Sequence, residues 1–172
     1  ANKGYGNSTT IPFDVTDESA ARLVLLALAE TVAARLREAK VRAEVLAVGI
    51  KSYDLRCASH QITLENPTDI TMEIHRHACR LFEELWDGTP IRHLGLYAQR
   101  VRGGAHTRQM QLFDSADYEK LEKMDAAIDR IRRRYGIDAV RRAAFLKSPI
   151  DHMSGGISRE KRTVDYEKIG IQ

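Results

Sequence analysis

The fold is decided by the stretch Ile91-Arg92-His93-Leu94-Gly95-Leu96-Tyr97-Ala98-Gln99-Arg100-Val101. In an extended strand, alternate side chains point to opposite faces. One face of this strand therefore carries Leu94, Leu96 and Ala98, and the other carries His93, Tyr97 and Gln99. One apolar and one polar face are typical of an antiparallel sheet that is covered on one side only. We expect function to lie on the polar side.

Three more strands or extended segments are predicted upstream. Residues 43–51 and 55–64 are two strands joined by Ser52-Tyr53-Asp54, which is a plausible hairpin. The second strand alternates less regularly, so we expect a bulge or register change near Ser59-His60. Residues 5–12 form a polar, Thr-rich extended segment.

Two helices separate these strands. Apolar residues at three- and four-residue spacing predict a helix over 18–39, capped by Thr16 or Asp17 and packed on more than one side. A second helix opens at Pro67-Thr68-Asp69, runs to Trp86 and is stopped by Gly88. The predicted fold is α+β: a four-stranded, mainly antiparallel sheet with two helices on one face, in the order β-α-β-β-α-β.

The remainder of the chain is predicted to be helical and then irregular. Apolar spacing indicates a third helix that ends at Gly136, and residues 138–146 are predicted to form a short fourth helix. Residues 147–172 lose periodicity and are predicted to be loop or disordered. The arginine-rich runs 132–134 and 141–142 are interpreted as the solvent face of these helices, paired partly with acids such as Asp125 and Asp129.

Composition excludes several classes of protein. The 172 residues suit one domain with or without an appendage, and 27 Lys and Arg against 24 Asp and Glu leave a net charge of only +3. Nucleic-acid binding would therefore depend on local placement of charge. Cys57 and Cys79 show neither a disulfide framework nor a zinc spacing, and no apolar run approaches 18 residues. We expect a cytoplasmic protein, and the start at Ala1 suggests a piece of a longer one.

The segment Gln109-Met110-Gln111-Leu112-Phe113 is a compact peptide anchor. A glutamine amide can make up to four hydrogen bonds, and the adjacent leucine and phenylalanine can fill an apolar pocket. The pentapeptide resembles the motif that tethers bacterial DNA polymerases and repair factors to the sliding clamp. The alternative is a loop whose Leu112 and Phe113 pack into the chain's own core.

A wider resemblance covers residues 3 to about 146. It rests on the order and spacing of Lys3-Gly4-Tyr5-Gly6-Asn7-Ser8-Thr9-Thr10, the two-helix body, Pro90-Ile91-Arg92-His93-Leu94-Gly95-Leu96, the pentapeptide and Ile128-to-Gly136. Together these resemble the C-terminal "little finger" of Y-family translesion DNA polymerases, nearest to the UmuC-like branch. The resemblance implies two partners, primer–template DNA and the sliding clamp, and no membrane. It leaves the oligomeric state open.

The resemblance and the strand pattern together select the candidate DNA contacts. They are Gly4, Gly6, Asn7, Ser8, Thr9, Lys51, Arg56, Ser59, His60, Gln61, Arg92, His93, Tyr97, Arg100 and Arg102. The chain departs from the family where Ser59-His60-Gln61 stands in place of Arg-Ser-Arg or a similar run, since His60 and Gln61 are weaker phosphate ligands than arginine, and where Tyr97 replaces a position that is often basic. These departures weaken the expected grip on phosphates.

Catalysis is not expected from this chain alone. It lacks the Asp-x-Asp and Ser-x-Asp-Glu elements that could hold two Mg²⁺ ions for phosphoryl transfer. No cofactor or metal is therefore expected here, and the resemblance places Mg²⁺ in a palm domain of the parent. The alternative function is a regulatory protein-interaction module that uses the bare sheet face and binds no DNA. The expected domains are 1–106 DNA-binding little finger, 107–114 clamp-binding linker, 115–146 helical extension and 147–172 tail.

Overall fold

The computed structural model describes residues 3–105, 107–109 and 117–153. The elements, in chain order, are β1 (Gly4–Val15), α1 (Glu18–Glu38), β2 (Val41–Ser52), β3 (Cys57–Thr68), α2 (Thr71–Leu85), β4 (Ile91–Gly103), α3 (Tyr118–Tyr135) and a 3₁₀ turn (Ala143–Phe145). The predicted α+β class and the order β-α-β-β-α-β are confirmed.

The four strands form one sheet in the order β1-β4-β2-β3, and every neighbouring pair is antiparallel. β4 is therefore a central strand, with β1 on one side and β2 on the other. Tyr97 stands opposite Gly6 of β1 and Ala47 of β2, and Ala47 in turn stands opposite Gln61 of β3. Because paired residues share a face, this row identifies one face across all four strands.

The core lies between the other face and the two helices α1 and α2. Leu94, Leu96 and Ala98 of β4 are fully buried, as are Leu25 and Leu28 of α1 and Ile74 and Phe82 of α2. Full burial of each large apolar side chain contributes about 1.5–3 kcal/mol. α1 is buried around most of its circumference, which confirms the prediction that it packs on more than one side. Its first turn is capped by Asp17, which accepts from the Ala20 amide at 2.9 Å.

The register between β2 and β3 corrects one prediction. The ladder is regular from the Cys57–Lys51 pair to the Thr63–Val45 pair and shifts only beyond Thr63. The expected bulge near Ser59-His60 is therefore wrong. The irregularity falls where Pro67 interrupts the ladder, since proline has no N–H to donate. β3 continues through Thr68, so α2 begins at Thr71 and not at Pro67.

The segment after α3 also differs from the prediction. α3 ends at Gly136 with φ 98°, as expected. Residues 138–146, however, contain only the 3₁₀ turn, and a fourth α-helix is absent from this described segment. The Val140 carbonyl accepts instead from the Arg132 guanidinium at 3.1 and 3.3 Å. Among the described residues no backbone N–H donates to this carbonyl, so it takes no part in a helical ladder.

α3 packs on the body through buried ion pairs. Arg37 of α1 donates to Asp129 at 2.6 Å and to Asp125 at 3.1 Å. Burial alone would lower the pKa of Arg37, but the hydrogen bond that Arg37 donates to Asp129 and the charges of both aspartates outweigh burial and raise this pKa. Burial raises the pKa of Asp125 in turn, against the opposing charge of Arg37.

A second set of ion pairs centres on Glu30 of α1. Arg132 donates to Glu30 at 2.6 Å, and Arg142 donates to the other carboxylate oxygen. The Glu30 and Arg132 residues are only 2% and 7% exposed. Placing Arg132 on the solvent face is therefore wrong. Glu30 is buried among apolar residues of α1, where an unpaired carboxylate would be costly. Its charge is balanced by arginines of the C-terminal extension.

Candidate nucleic-acid interface

One face of the sheet is left open by the helices. Alternation and register place a defined set of side chains on it, which we call the open face: Gly4, Gly6, Ser8, Thr10, Val45, Ala47, Gly49, Lys51, Cys57, Ser59, Gln61, Thr63, His93, Gly95, Tyr97 and Gln99. Small residues dominate, which leaves a flat surface. A bare sheet face opposite the helices was predicted, and the described residues confirm it.

The open face contains no carboxylate among these described positions, although the chain has 24 Asp and Glu residues. Its one permanent cation is Lys51, which stands opposite Cys57 and His93. The imidazole of His93 lies 3.2 Å from the Thr10 hydroxyl. A surface of hydroxyls, amides and a lysine can approach a polyanion without a repulsive charge.

The cations selected from sequence fall into two groups. Within the described ranges, Lys51 and Arg100 have no ion-pair partner. Arg100 has a left-handed backbone, with φ 49°, which interrupts the alternation of β4. The other three pair at the margins of the sheet: Arg56 with Asp54 at 2.6 Å, Arg92 with Asp14 at 2.9 Å and Arg102 with Glu44 at 2.7 Å.

Three candidate side chains lie on the wrong side of the sheet for the open face. Asn7 stands opposite Leu96, is 5% exposed and accepts from Arg35 at 3.1 Å. Thr9 stands opposite Leu94, so it also faces the helices. His60 stands opposite Val48, and its Nε2 lies 3.1 Å from the Glu84 carboxylate of α2. The side chains of these three residues therefore lie on the helix-covered side of the sheet.

The other strand candidates share the open face. Gly4, Gly6 and Ser8 line its β1 edge, Ser59 and Gln61 its β3 edge, and His93 and Tyr97 its centre. Sequence reasoning placed Gln99 on this face without counting it as a contact, and it missed Thr10, Gly49 and Thr63 as members of the same surface. The signal was available, since each lies an even number of positions from a recognised member of its own strand.

The linker that leaves the sheet is fixed at its last described residues. Asn66 of β3 accepts from the Gln109 amide at 2.8 Å and donates to the Gln109 carbonyl at 3.0 Å. Arg108 donates to both oxygens of Glu73 at 2.9 and 2.6 Å, and its guanidinium carbon lies 3.7 Å from the centroid of the Tyr118 ring. Arg108 thus joins the linker to α2 and to the first turn of α3.

The Gln109 residue is exposed. The other candidate clamp contacts, Met110, Gln111, Leu112 and Phe113, lie outside the described residues. Since Arg108 touches Tyr118, the two described ends that flank residues 110–116 lie side by side.

One group in the described part of the chain could offer ligands to a metal. Asp138, Asp151 and His152 bring their ligand-type atoms within 4.8 Å of one another. The His152 Nε2 lies 2.8 Å from the Asp138 carboxylate, which is an ordinary hydrogen-bond distance. None of the three residues belongs to the open face. Across the described ranges, no helix is both long and apolar enough to cross a membrane.

A family model described as "impB/mucB/samB family C-terminal domain" matches residues 2–112. The chain is 32% identical over 145 residues to a DNA polymerase IV of Clostridium acetobutylicum, covering 84% of this chain and 36% of that protein. It is 33% identical over 147 residues to a DNA polymerase IV of Acetivibrio thermocellus, covering 84% and 37%. The chain thus spans little more than a third of the length of these relatives.

Two solved structures have a similar fold. The post-insertion binary complex of Dbh DNA polymerase matches with a TM-score of 0.52 and 15% identity, over 59% of this chain and 29% of that one. The little-finger domain of PolIV, solved in complex with the beta-clamp processivity factor, matches with a TM-score of 0.50 and 18% identity, over 64% and 99%.

Proposed function

Since this chain belongs to the impB/mucB/samB family as its C-terminal domain, we propose that its open face grips the backbone of primer–template DNA within a translesion DNA polymerase. The fold is that of a Y-family little finger. The phosphoryl-transfer chemistry and its Mg²⁺ are assigned to other parts of a parent protein.

The absence of carboxylates from the open face is the observation that carries this proposal. Asp125 pairs with Arg37 on the helix side, and Asp14 and Glu44 pair with arginines at the margins, whereas Glu65 follows on β3 beyond the register shift. A flat face of glycines, serines and threonines lets backbone phosphates approach closely, and such contacts position a protein on DNA. Lys51 and Arg100 have no ion pair among the described residues, so they can bind phosphates without breaking one.

The marginal arginines can add to this grip at little cost. The Arg56 and Arg102 side chains are 70% and 72% exposed in their ion pairs. Exposed ion pairs contribute about 0–1 kcal/mol, so a phosphate can replace the carboxylate with little loss of stability. The modest net charge of the chain therefore does not prevent a local contact with DNA.

We further propose that Gln109-Met110-Gln111-Leu112-Phe113 binds a sliding clamp. The fixed backbone of Gln109 and its exposed side chain support this role, as does the resemblance of the segment to clamp-binding peptides. A tether of this kind gives the domain a second attachment, which can raise avidity by about 10²–10⁴ without any new contact to DNA.

A titration of a fluorescent primer–template, read by anisotropy at low and moderate salt, tests the DNA contact. We expect binding that weakens steeply with salt, by close to one unit of log–log slope for each phosphate neutralised. Binding that is undetectable at low salt would contradict the proposal. It would favour the alternative, a regulatory module that uses the open face for a protein partner.

Replacing Lys51 with glutamine is expected to weaken DNA binding several-fold and to lower the salt slope by about one unit. Lys51 is the permanent cation of the open face, and glutamine preserves most of its length. The control is Lys123→Gln, because Lys123 lies on α3 and pairs with Glu119 at 2.5 Å. Equal effects of the two variants would mean that the contact is not located on the open face.

Replacing Arg108 with alanine is expected to weaken clamp binding by up to about tenfold. The variant frees the linker from Glu73 and Tyr118, and ordering a freed side chain or segment costs about 0.5–1.5 kcal/mol per group. Calorimetry with the purified clamp measures the change. Arg76→Ala is the matched control, since Arg76 also lies near Glu73, at 3.9 Å, but makes no described contact with the linker. An unchanged affinity in Arg108→Ala would show that this fixation does not assist binding.

A further inference from the structure

The ring of Tyr97 packs against the backbone of three glycines on the open face, Gly6, Gly49 and Gly95. A Cβ added to Gly95 would sit 2.6 Å from the Tyr97 hydroxyl oxygen, and one on Gly49 would sit 3.6 Å from Cε2. A Cβ added to Gly6 would overlap the ring itself. Since Cβ atoms of a strand project from the sheet, the ring covers the backbone of three neighbouring strands. It is nevertheless 38% exposed, so its other side faces outward.

Glycines at these strand positions lower the stability of the sheet, so we expect the position of the ring to serve a function. Glycine weakens a strand interior, and its presence there often marks a close approach by a ligand or another chain. A tyrosine that stood upright from β4 would not require glycines at positions 6 and 95. The three glycines leave room for the ring to lie low against the sheet, and its close approach to all three of them shows that it does so.

A shallow depression of about 450 Å³ adjoins the ring. Its polar lining on the open face comes from Ser59, Gln61 and Gln99, with Ala47 as the floor. The two carboxamides are exposed and have no hydrogen-bond partner among the described residues. Each amide offers a donor and an acceptor side by side, which complements the hydrogen-bonding edge of a nucleobase.

We propose that Tyr97 and this depression bind one unpaired nucleobase of a DNA strand, which stacks on the outward side of the ring. This site rests on the proposed function, because it requires the open face to meet DNA. Bases inside a duplex are covered on both sides by their neighbours, so only a base outside the stack can use the ring. Base–aromatic stacking is sequence-tolerant, since every base has a π-face.

The test compares three duplexes that differ at one position: fully paired, with a single bulged nucleotide, and with a bulged abasic nucleotide. Anisotropy measures the affinity of the full chain for each. We expect the bulged base to bind between about fivefold and a hundredfold more tightly than the abasic bulge, the range that corresponds to one stacked base. Equal affinity for the two bulges would overturn the site, whereas no binding to any duplex would refute the proposed function itself.

Variants then assign the preference to the ring. Tyr97→Leu is expected to abolish the difference in affinity between the two bulges, and Tyr97→Phe to keep it, with each variant's own affinity for the paired duplex as the reference. Gly6→Ala displaces the ring without removing it, so it should also reduce the preference for the bulged base over the abasic bulge. It replaces Tyr97→Leu as the test if that variant does not fold. If every one of these two variants that folds still prefers the bulged base, stacking on Tyr97 is contradicted.

Discussion

The double variant Leu112→Ala/Phe113→Ala is expected to lose binding to a sliding clamp, with an affinity at least about 100-fold lower. Two buried apolar side chains contribute about 1.5–3 kcal/mol each, and a micromolar peptide contact amounts to about −8 kcal/mol. Removing both side chains therefore takes away a third or more of the binding free energy. A pull-down on immobilised clamp, followed by calorimetry, measures the loss.

The control for this variant is Leu146→Ala. Leu146 is 71% exposed and lies outside the pentapeptide, so its removal deletes a comparable apolar group. We expect unchanged clamp binding in the control and an unchanged circular dichroism spectrum and DNA affinity in both variants. If the double variant unfolds, Leu112 and Phe113 serve the core of the chain and the tether hypothesis fails.

Replacing Glu30 with alanine is expected to lower the free energy of unfolding by about 3–5 kcal/mol. Removing one partner of a buried ion pair leaves the other charge buried and uncompensated. Here two guanidiniums lose their carboxylate at once, since Arg132 and Arg142 both donate to Glu30 and are only 6% and 18% exposed in their side chains. Urea unfolding followed by circular dichroism measures the change.

The matched control is Glu119→Ala, which breaks the pair with Lys123 on the outer face of α3. Both side chains of that pair are about three-quarters exposed, so the expected change is within about 0.5 kcal/mol. Limited proteolysis of Glu30→Ala should cut first within α3, which loses its attachment to α1. A loss below about 1 kcal/mol in Glu30→Ala would show that the extension is held by other contacts.

The sequence was sufficient for features that depend on short-range pattern. The alternation from His93 to Gln99 identified the bare face, and the spacing in α1 and α3 located both helices. The predictions that failed concern positions where the local pattern is overridden, by a proline in the case of β3 and by a distant ion-pair partner in the case of Arg132. The resemblance counted both His60 and Gln61 as DNA contacts, but a regular ladder sends the side chains of these neighbours to opposite faces.

The buried ion pairs lay beyond the reach of a local pattern. Glu30 within the apolar stretch of α1 signals that a partner is needed, since an unpaired buried carboxylate is very costly. Nothing in the neighbouring sequence identifies Arg132, which follows 102 residues later. The packing of Tyr97 against glycines is likewise a long-range feature. Gly6 and Gly49 lie beside the ring only because β1, β4 and β2 are aligned in the sheet.

The position of β4 between β1 and β2 has a consequence for how the body is made. Gly4 pairs with Gln99, so almost a hundred residues separate β1 from its partner among the described strands, and β4 is synthesised only after them. During translation, the hairpin of β2 and β3 can form early, but its inner edge stays unsatisfied until residues 91–103 leave the ribosome. Assembly therefore depends on distant pairings, which slow folding and favour one concerted closure at the end.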